Sequence, residues 1–183
     1  MYKRQEYDTA FFDKRSKFLH YLPELVVINN IEFDHADIYN SLEEIKLSFR
    51  RLTQIIPRNG LALVNADDPN CLDVVKGAPC PVKTVGFSDS SNIRILDVET
   101  STDGSHFTLE GTRYYVPMIG EFNIRNAAMA IAAAQFAGLN VKQLADSMSR
   151  FEGVARRQEV KGVVNGISVV DDFAHHPTAI KQA

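Results

Sequence analysis

Residues 24–37 read ELVVINNIEFDHAD, an apolar run from Leu25 to Ile28 that ends in two asparagines and then in a loop carrying Glu32, Asp34, His35 and Asp37. A short, continuously apolar run predicts a strand covered on both faces, and the carboxyl end of such a strand is where open α/β sheets place their ligand sites. A neutral imidazole can ligate a cation, with the neighbouring acids joining it or orienting it from behind. The loop therefore points to a metal or a phosphate; the plainer alternative is a polar loop that closes a strand.

Working outward, helical and strand patterns alternate. Residues 41–56 place Leu42, Ile45, Phe49, Leu52 and Ile56 at helical spacing behind Ser41, with Glu44 three places on as a capping box. Pro57 and Gly60 stop that helix, GLALVNA follows as an apolar strand, and DDPNCLDVVKG predicts a second helix with Pro69 in its first turn. VKTVGF (82–87) adds a strand, and 92–117 holds three short alternating runs, IRILDVE, HFTLE and RYYVP, which predict a small antiparallel appendage. An alanine-rich helix is expected over 121–138 and another near 141–151, and QEVKGVVNGISVVDDF reads as a hairpin turning at Asn165-Gly166. The composition break at Gly153 marks a domain boundary. The fold class is α/β, a mainly parallel sheet flanked by helices.

At 183 residues, 45% hydrophobic and 23% charged, the chain can bury a core of its own. A net charge of −3 gives no general attraction to nucleic acid or to anionic membranes, so neither is expected as a partner. No apolar stretch approaches the roughly 20 residues of a membrane helix, and a cytoplasmic protein is expected. Cys71 and Cys80 are too few for a zinc site or a disulfide framework and read as inert thiols.

Three further constellations could carry chemistry. In GEFNIRNAAMAIAAA (120–134), Asn123 and Asn126 fall on one face of a helix start whose following residues are small, so a flat ligand can approach amides that both donate and accept; alternatively Asn123 is an N-cap. In GVARRQE (153–159), Arg156 and Arg157 could put one guanidinium on a phosphate, or could belong to a solvated linker. In VVDDFAHHPT (169–178), Asp172, His175 and His176 follow a strand and could bind a metal, as in a hydrolase, or the acids could cap the next helix.

The order of these stretches carries a resemblance. EYDTAFFDKRSKF (6–18), NNIEFDHAD (29–37), NADDP (65–69), GEFNIRNAAMAIAAA, ARRQE (155–159) and VVDDFAHHPT resemble, in sequence and order, the Mur ligases, the ATP-dependent amide-bond-forming enzymes of bacterial cell-wall synthesis. Within that family EYDTAFFDKRSKF together with EFDHADIY is most similar to the branch that recycles wall peptide by joining UDP-N-acetylmuramate to L-Ala-γ-D-Glu-meso-diaminopimelate. The branch that joins UDP-N-acetylmuramate to L-alanine shares the histidine loop and DD-x-x-HHPT but lacks FFDKRSKF. The resemblance implies a P-loop-type ATP-binding central domain over 1–153, truncated at its start and without its P-loop, and the beginning of a carboxy-terminal Rossmann-like domain over 154–183.

It also implies ATP and Mg2+ as cofactors and a role for each matching residue. His35 would bind magnesium beside the γ-phosphate. Asn123 and Asn126 would face the base, with Asn126 nearest the adenine; Arg157 would reach the nucleotide phosphates. Asp172 and His175 would belong to the wall that closes on the ATP site. The implied reaction activates the muramoyl carboxylate as an acyl phosphate, which the tripeptide amine then attacks; such chemistry rests on positioning and charge neutralisation.

Three departures qualify it. No G-x-x-x-x-G-K-[ST] loop occurs in the 183 residues, so the chain alone is expected to be inactive, an excised middle or a non-catalytic nucleotide-binding module. The family's magnesium-binding glutamate falls on Lys3, which leaves Glu6 as the carboxylate candidate for the metal. The histidine usual before the first asparagine is Phe122, and the chain ends at Ala183, before the amino-acid-binding domain.

Overall fold

A computed structural model describes residues 15–182 of the chain. Four parallel strands, β1 (Leu25–Ile28), β2 (Leu61–Asn65), β3 (Val82–Gly86) and β4 (Ile93–Thr100), lie side by side in chain order. The antiparallel runs β5 (Ser105–Leu109) and β6 (Thr112–Val116) extend the same six-stranded sheet, joined to its parallel part where Val85 and Gly86 pair with Ile93 and Arg94.

Helix α1 (Leu42–Gln54) connects β1 to β2 and α2 (Pro69–Val74) connects β2 to β3. Crossovers of one hand running the same way along a sheet bring their helices to one face. There Ile45, Leu52, Cys71 and Val74 pack with Val26, Ile28, Ala62 and Val64. Helices α3 (Glu121–Phe136) and α4 (Val141–Ser149) cover the other face, where Ile124, Ala128, Ile131 and Leu144 meet Leu61, Leu63, Val85 and Phe107. All five residues of β2 are buried, its alternate side chains feeding the two cores in turn.

Local chemistry sets the helix ends. The Ser41 hydroxyl accepts the Glu44 N–H at 3.3 Å, while the Glu44 carboxylate reaches back to the N–H of Asn40 at 2.9 Å, one residue beyond the reciprocal partner of an ordinary capping box. Asp68 caps α2 by accepting from the N–H groups of Asn70 and Cys71, with Pro69 at the first position. Gly120, with φ of 93°, precedes α3, so Asn123 is not its cap but lies within the first turn. Asn140 and Gln143 form a complete capping box on α4.

The hairpin forms as expected from β7 (Glu159–Val164) and β8 (Ile167–Asp171), with positive φ at both Asn165 and Gly166, as a type I′ turn requires. Val160, Val163, Val164, Ile167, Val169 and Val170 are exposed on it. A short helix, α5 (Pro177–Gln182), follows. Among the described residues no helix is long and apolar enough to cross a membrane. Both cysteines are free and buried, and burial pushes the Cys71 thiol well above its ordinary value.

Asp73 on α2 ties the two helices of one face together. It meets Lys46 at 2.7 Å, Arg50 at 2.5 Å and Lys76 at 3.1 Å, and these bonds, Lys46 first, hold its carboxyl far below the usual range. A carboxyl depressed in the folded state stabilises above its unfolded value, and that contribution fades as pH falls through the lower folded value. Urea titrations should therefore show stability declining below about pH 4, and Asp73→Asn should flatten that decline while lowering stability at pH 7. Leu63→Ala, which empties a fully buried site on β2, should cost about 2–5 kcal/mol in the same measurement.

Candidate functional site

Strands β1, β2 and β3 end side by side, where β4 begins, and the groups their ends leave unpaired are bridged by side chains. At the end of β1 the Asn29 carbonyl accepts from Asn65 Nδ2 at 2.8 Å, and Asn29 Nδ2 donates to Asn126 Oδ1 on α3 at 3.0 Å. Asp68 accepts the Ile31 N–H at 3.0 Å and Asn70 Nδ2 donates to the Ile31 carbonyl at 2.9 Å, so the NADDPN stretch after β2 braces the loop after β1. Asp67 accepts from the N–H groups of Phe87 and Ser88 at 3.0 and 2.9 Å and from Arg125 at 3.2 Å, which fixes the start of α3 over the ends of β2 and β3.

Beside α3 opens a cleft of about 790 Å3. One wall is α3 itself, with Phe122, Asn123, Asn126 and the small Ala127 and Ala130; the other is Arg156, Arg157, Gln158, Asp172, Phe173 and Ala174. Asn123, only 6% exposed, donates from Nδ2 to the Ile119 carbonyl at 2.7 Å and to Gln158 Oε1 at 3.1 Å. Asp172 spends both oxygens on backbone, accepting from Gln158 N at 2.9 Å and Ala174 N at 2.7 Å. Those two bonds, with the positive charge of Arg157 beside them, hold its carboxyl below the ordinary aspartate value.

The arginine wall is built under backbone strain. Arg156 and Gln158 have φ of 60° and 49°, a region that side-chain-bearing residues avoid. Glu159 accepts the Arg156 N–H at 2.8 Å, and the Arg156 carbonyl accepts from Phe173 N at 2.9 Å. The Arg156 guanidinium lies 4.7 Å from the Phe173 ring centre and 3.7 Å from Asp171, whereas that of Arg157 lies 6.0 Å from the same ring. Of the two adjacent cations, Arg156 is committed to the wall and Arg157 is the one better placed for an anion in the cleft.

The histidine loop lies apart from the cleft wall. His35, at φ 55°, donates its N–H to Asp34 at 2.7 Å, and its carbonyl closes the turn by accepting from Ile38 and Tyr39 at 2.9 and 3.0 Å. Its Nε2 is 3.5 Å from Asp34 Oδ2. The loop is joined to the carboxy-terminal segment at its other end: Thr178 Oγ1 donates to Glu32 at 2.5 Å, and His176 Nε2 lies 3.2 Å from the Phe33 carbonyl. His175 turns back on its own loop, with Nδ1 3.0 Å from the Phe173 carbonyl and its ring edge-on to Phe173.

Of the residues named from sequence, Asn123, Asn126, Arg157 and Asp172 share one cleft, His35 and His175 stand outside its lining, and Glu6 lies outside the described residues. Among the described residues no group of three or more His, Cys, Asp or Glu is gathered to hold a metal ion, so Asp172, His175 and His176 do not form a protein-built metal site. Magnesium takes few protein ligands and keeps water and phosphate oxygens, and His35 beside Asp34 suits that partial role. Sequence reasoning counted Glu32 among the loop acids but did not foresee the long-range contacts of Asn29, Glu32, Gln158 and Thr178; a polar residue at a strand end was the visible signal for Asn29.

Comparison with known proteins places this arrangement. The Mur ligase middle domain matches residues 10–134. The UDP-N-acetylmuramate–L-alanyl-gamma-D-glutamyl-meso-2,6-diaminoheptandioate ligase of Haemophilus influenzae is 40% identical over 181 residues, which is 96% of this chain and 39% of that protein. The UDP-N-acetylmuramate–L-alanine ligase of Clostridium acetobutylicum is 36% identical over 187 residues, 98% of this chain and 40% of that protein. The crystal structure of the L-alanyl-gamma-D-glutamyl-meso-diaminopimelate ligase of Neisseria meningitides superposes with a TM-score of 0.72 at 35% identity, covering 84% of this chain and 48% of that one. The chain thus spans about two fifths of the length of the curated relatives it matches.

The geometry makes Asp172 a brace for the cleft wall. Asp172→Ala should speed hydrogen exchange at the Gln158 and Ala174 amides, read by NMR, while the amides of β2 keep their protection. Because the carboxyl is depressed in the folded state, the wild-type protein should show the same loosening as pH falls below about 4.

Proposed function

The chain belongs to the Mur ligase family, and from that membership we propose that residues 1–153 are the ATP-binding central portion of a ligase that joins UDP-N-acetylmuramate to L-Ala-γ-D-Glu-meso-diaminopimelate, with residues 154–183 opening its carboxy-terminal domain. The observation that carries this reading is the cleft of about 790 Å3, of a size for a nucleotide, with two amides on one wall and two guanidiniums on the other.

In this reading the alanines of α3 let the flat base lie close, Asn123 and Asn126 meet its edge, and Arg157 takes phosphate oxygens with its planar fork. Asp172 holds the far wall in register, and His175 keeps the Phe173 ring in place from behind. His35, with Glu6, would offer ligands to magnesium, whose charge neutralises the phosphoryl group being transferred. The muramoyl carboxylate takes the γ-phosphoryl group, giving ADP and an acyl phosphate, and the tripeptide amine displaces phosphate from it. These 183 residues contain no Gly-Lys-Ser/Thr loop, so we read the chain by itself as inactive in ATP turnover and the activity as that of the parent protein, acting in the cytoplasm on its nucleotide sugar.

The 36% identity to an L-alanine ligase supports a second reading in which the amine is that of L-alanine. Phosphate release by the full-length parent protein separates the two: release requiring UDP-N-acetylmuramate and tripeptide supports the first, release driven by L-alanine moves the assignment to the second, and release with neither sinks both. Asn126→Ala should raise the KM for ATP about tenfold with kcat nearly unchanged, the signature of a lost binding contact.

A further inference from the structure

The histidine loop is anchored at both ends and clasped between them. Ile31, 2% exposed, gives its N–H to Asp68 and accepts from Asn70, and Tyr39, 7% exposed, meets the Ser16 hydroxyl at 2.8 Å. Between these anchors the chain passes through His35 at φ 55°, a conformation that a side-chain-bearing residue keeps only where its surroundings impose it. Part of that constraint comes from far along the chain. A carboxylate only accepts, so the Thr178 hydroxyl, 146 positions away, is the donor in its 2.5 Å bond to Glu32. The Phe33 carbonyl likewise takes a proton from His176 Nε2 at 3.2 Å, and His176 Nδ1 stands 3.4 Å from the same Glu32 oxygen.

The donors of this clasp belong to the segment that also carries the far wall of the cleft. That segment reaches α3 through Gln158 and the histidine loop through Thr178 and His176, while the ribbon of β7 and β8 between those ties leaves its branched apolar side chains exposed. We propose that Glu32 is a positioning residue, clasped by Thr178 so that the turn carrying His35 takes its shape only when the cleft wall is seated. Seating the wall and ordering the histidine loop are then one event, and by reciprocity whatever binds the ordered loop also favours the seated wall. Glu32 serves a cation at His35 through the backbone and spends its own charge on the clasp. The consequence for magnesium rests on the ligase reading above; the coupling of loop to wall does not.

Thr178→Val removes the hydroxyl donor at nearly constant size. In the 183-residue chain it should speed hydrogen exchange about tenfold, one hydrogen bond's worth, at the Ile38 and Tyr39 amides that close the turn on the His35 carbonyl, while the amides of β2 keep their protection. Thr178→Ser, which retains the hydroxyl, should exchange like the wild type; Glu32→Gln, which weakens the same bond from the loop side, should reproduce the loosening and add little to Thr178→Val in the double variant. In the full-length parent protein Thr178→Val should raise the Mg2+ concentration for half-maximal phosphate release about tenfold with the KM for tripeptide unchanged, a split that general loosening does not produce. Unchanged exchange at Ile38 and Tyr39 would overturn the clasp. Loosened amides with an unchanged Mg2+ requirement would overturn the positioning role and leave the ligase reading standing. A wild-type parent protein that releases no phosphate sinks that reading and the positioning role together, whereas the amide exchange still decides the clasp.

Discussion

Burial of β2 on both sides is the constraint from which the rest follows. Leu61 and Leu63 face one core, Ala62 and Val64 the other, and a strand with no wet face must be covered twice. The chain meets this by sending α1 and α2 to one side and α3 and α4 to the other. The short link from β6, which ends at Val116, to α3, which starts at Glu121, then brings the first turn of α3 to the carboxyl ends of β1 and β2, where the ladder stops and polar backbone needs partners. Asn29, Asn65, Asp67 and Asp68 supply them. The cleft is thus a by-product of layer order: its two amides, Asn123 and Asn126, stand where a covering helix meets a sheet edge.

Much of this was legible in the chain because it is local. Continuous apolar runs mark β1 and β2, alternation marks β4 to β6, and Asn165-Gly166 announces its turn because few other pairs adopt two left-handed conformations cheaply. What escaped is what depends on a distant partner. Glu44 was legible as a cap residue, but not that it would bypass Ser41 for Asn40, a matter of how the loop enters the helix. Asn123 reads as a cap in isolation; Gly120 in a left-handed conformation moves the helix start upstream and frees Asn123 to face the cleft. Arg156 and Arg157 are equivalent on paper and become unlike only when Phe173 and Asp171 claim the first.

The far wall shows how a charged residue can shape a cleft through backbone bonds. Both oxygens of Asp172 are occupied by amide protons, one from the strained turn that carries Arg157 and Gln158 and one from the loop that carries the two histidines. A substitution there would be felt at the arginine, at the glutamine and through it at Asn123. Glu32 plays a matching part on the other side, joining the histidine loop to Thr178. Glu32 thus ties the carboxy-terminal segment to the loop after β1, while Asp172 braces that segment internally and Gln158 carries it to α3.

The ribbon of β7 and β8 has a consequence for the chain as a material. A two-stranded sheet leaves N–H and C=O groups unpaired along both outer edges, and here the exposed side chains are branched and apolar. On β7 the ammonium of Lys161 stands beside Glu159 and acts as a gatekeeper against a third strand. On β8, Ile167 to Val170 carry no charge at all. Wherever this ribbon is left bare, its β8 edge is the seam along which copies of the chain would zip together.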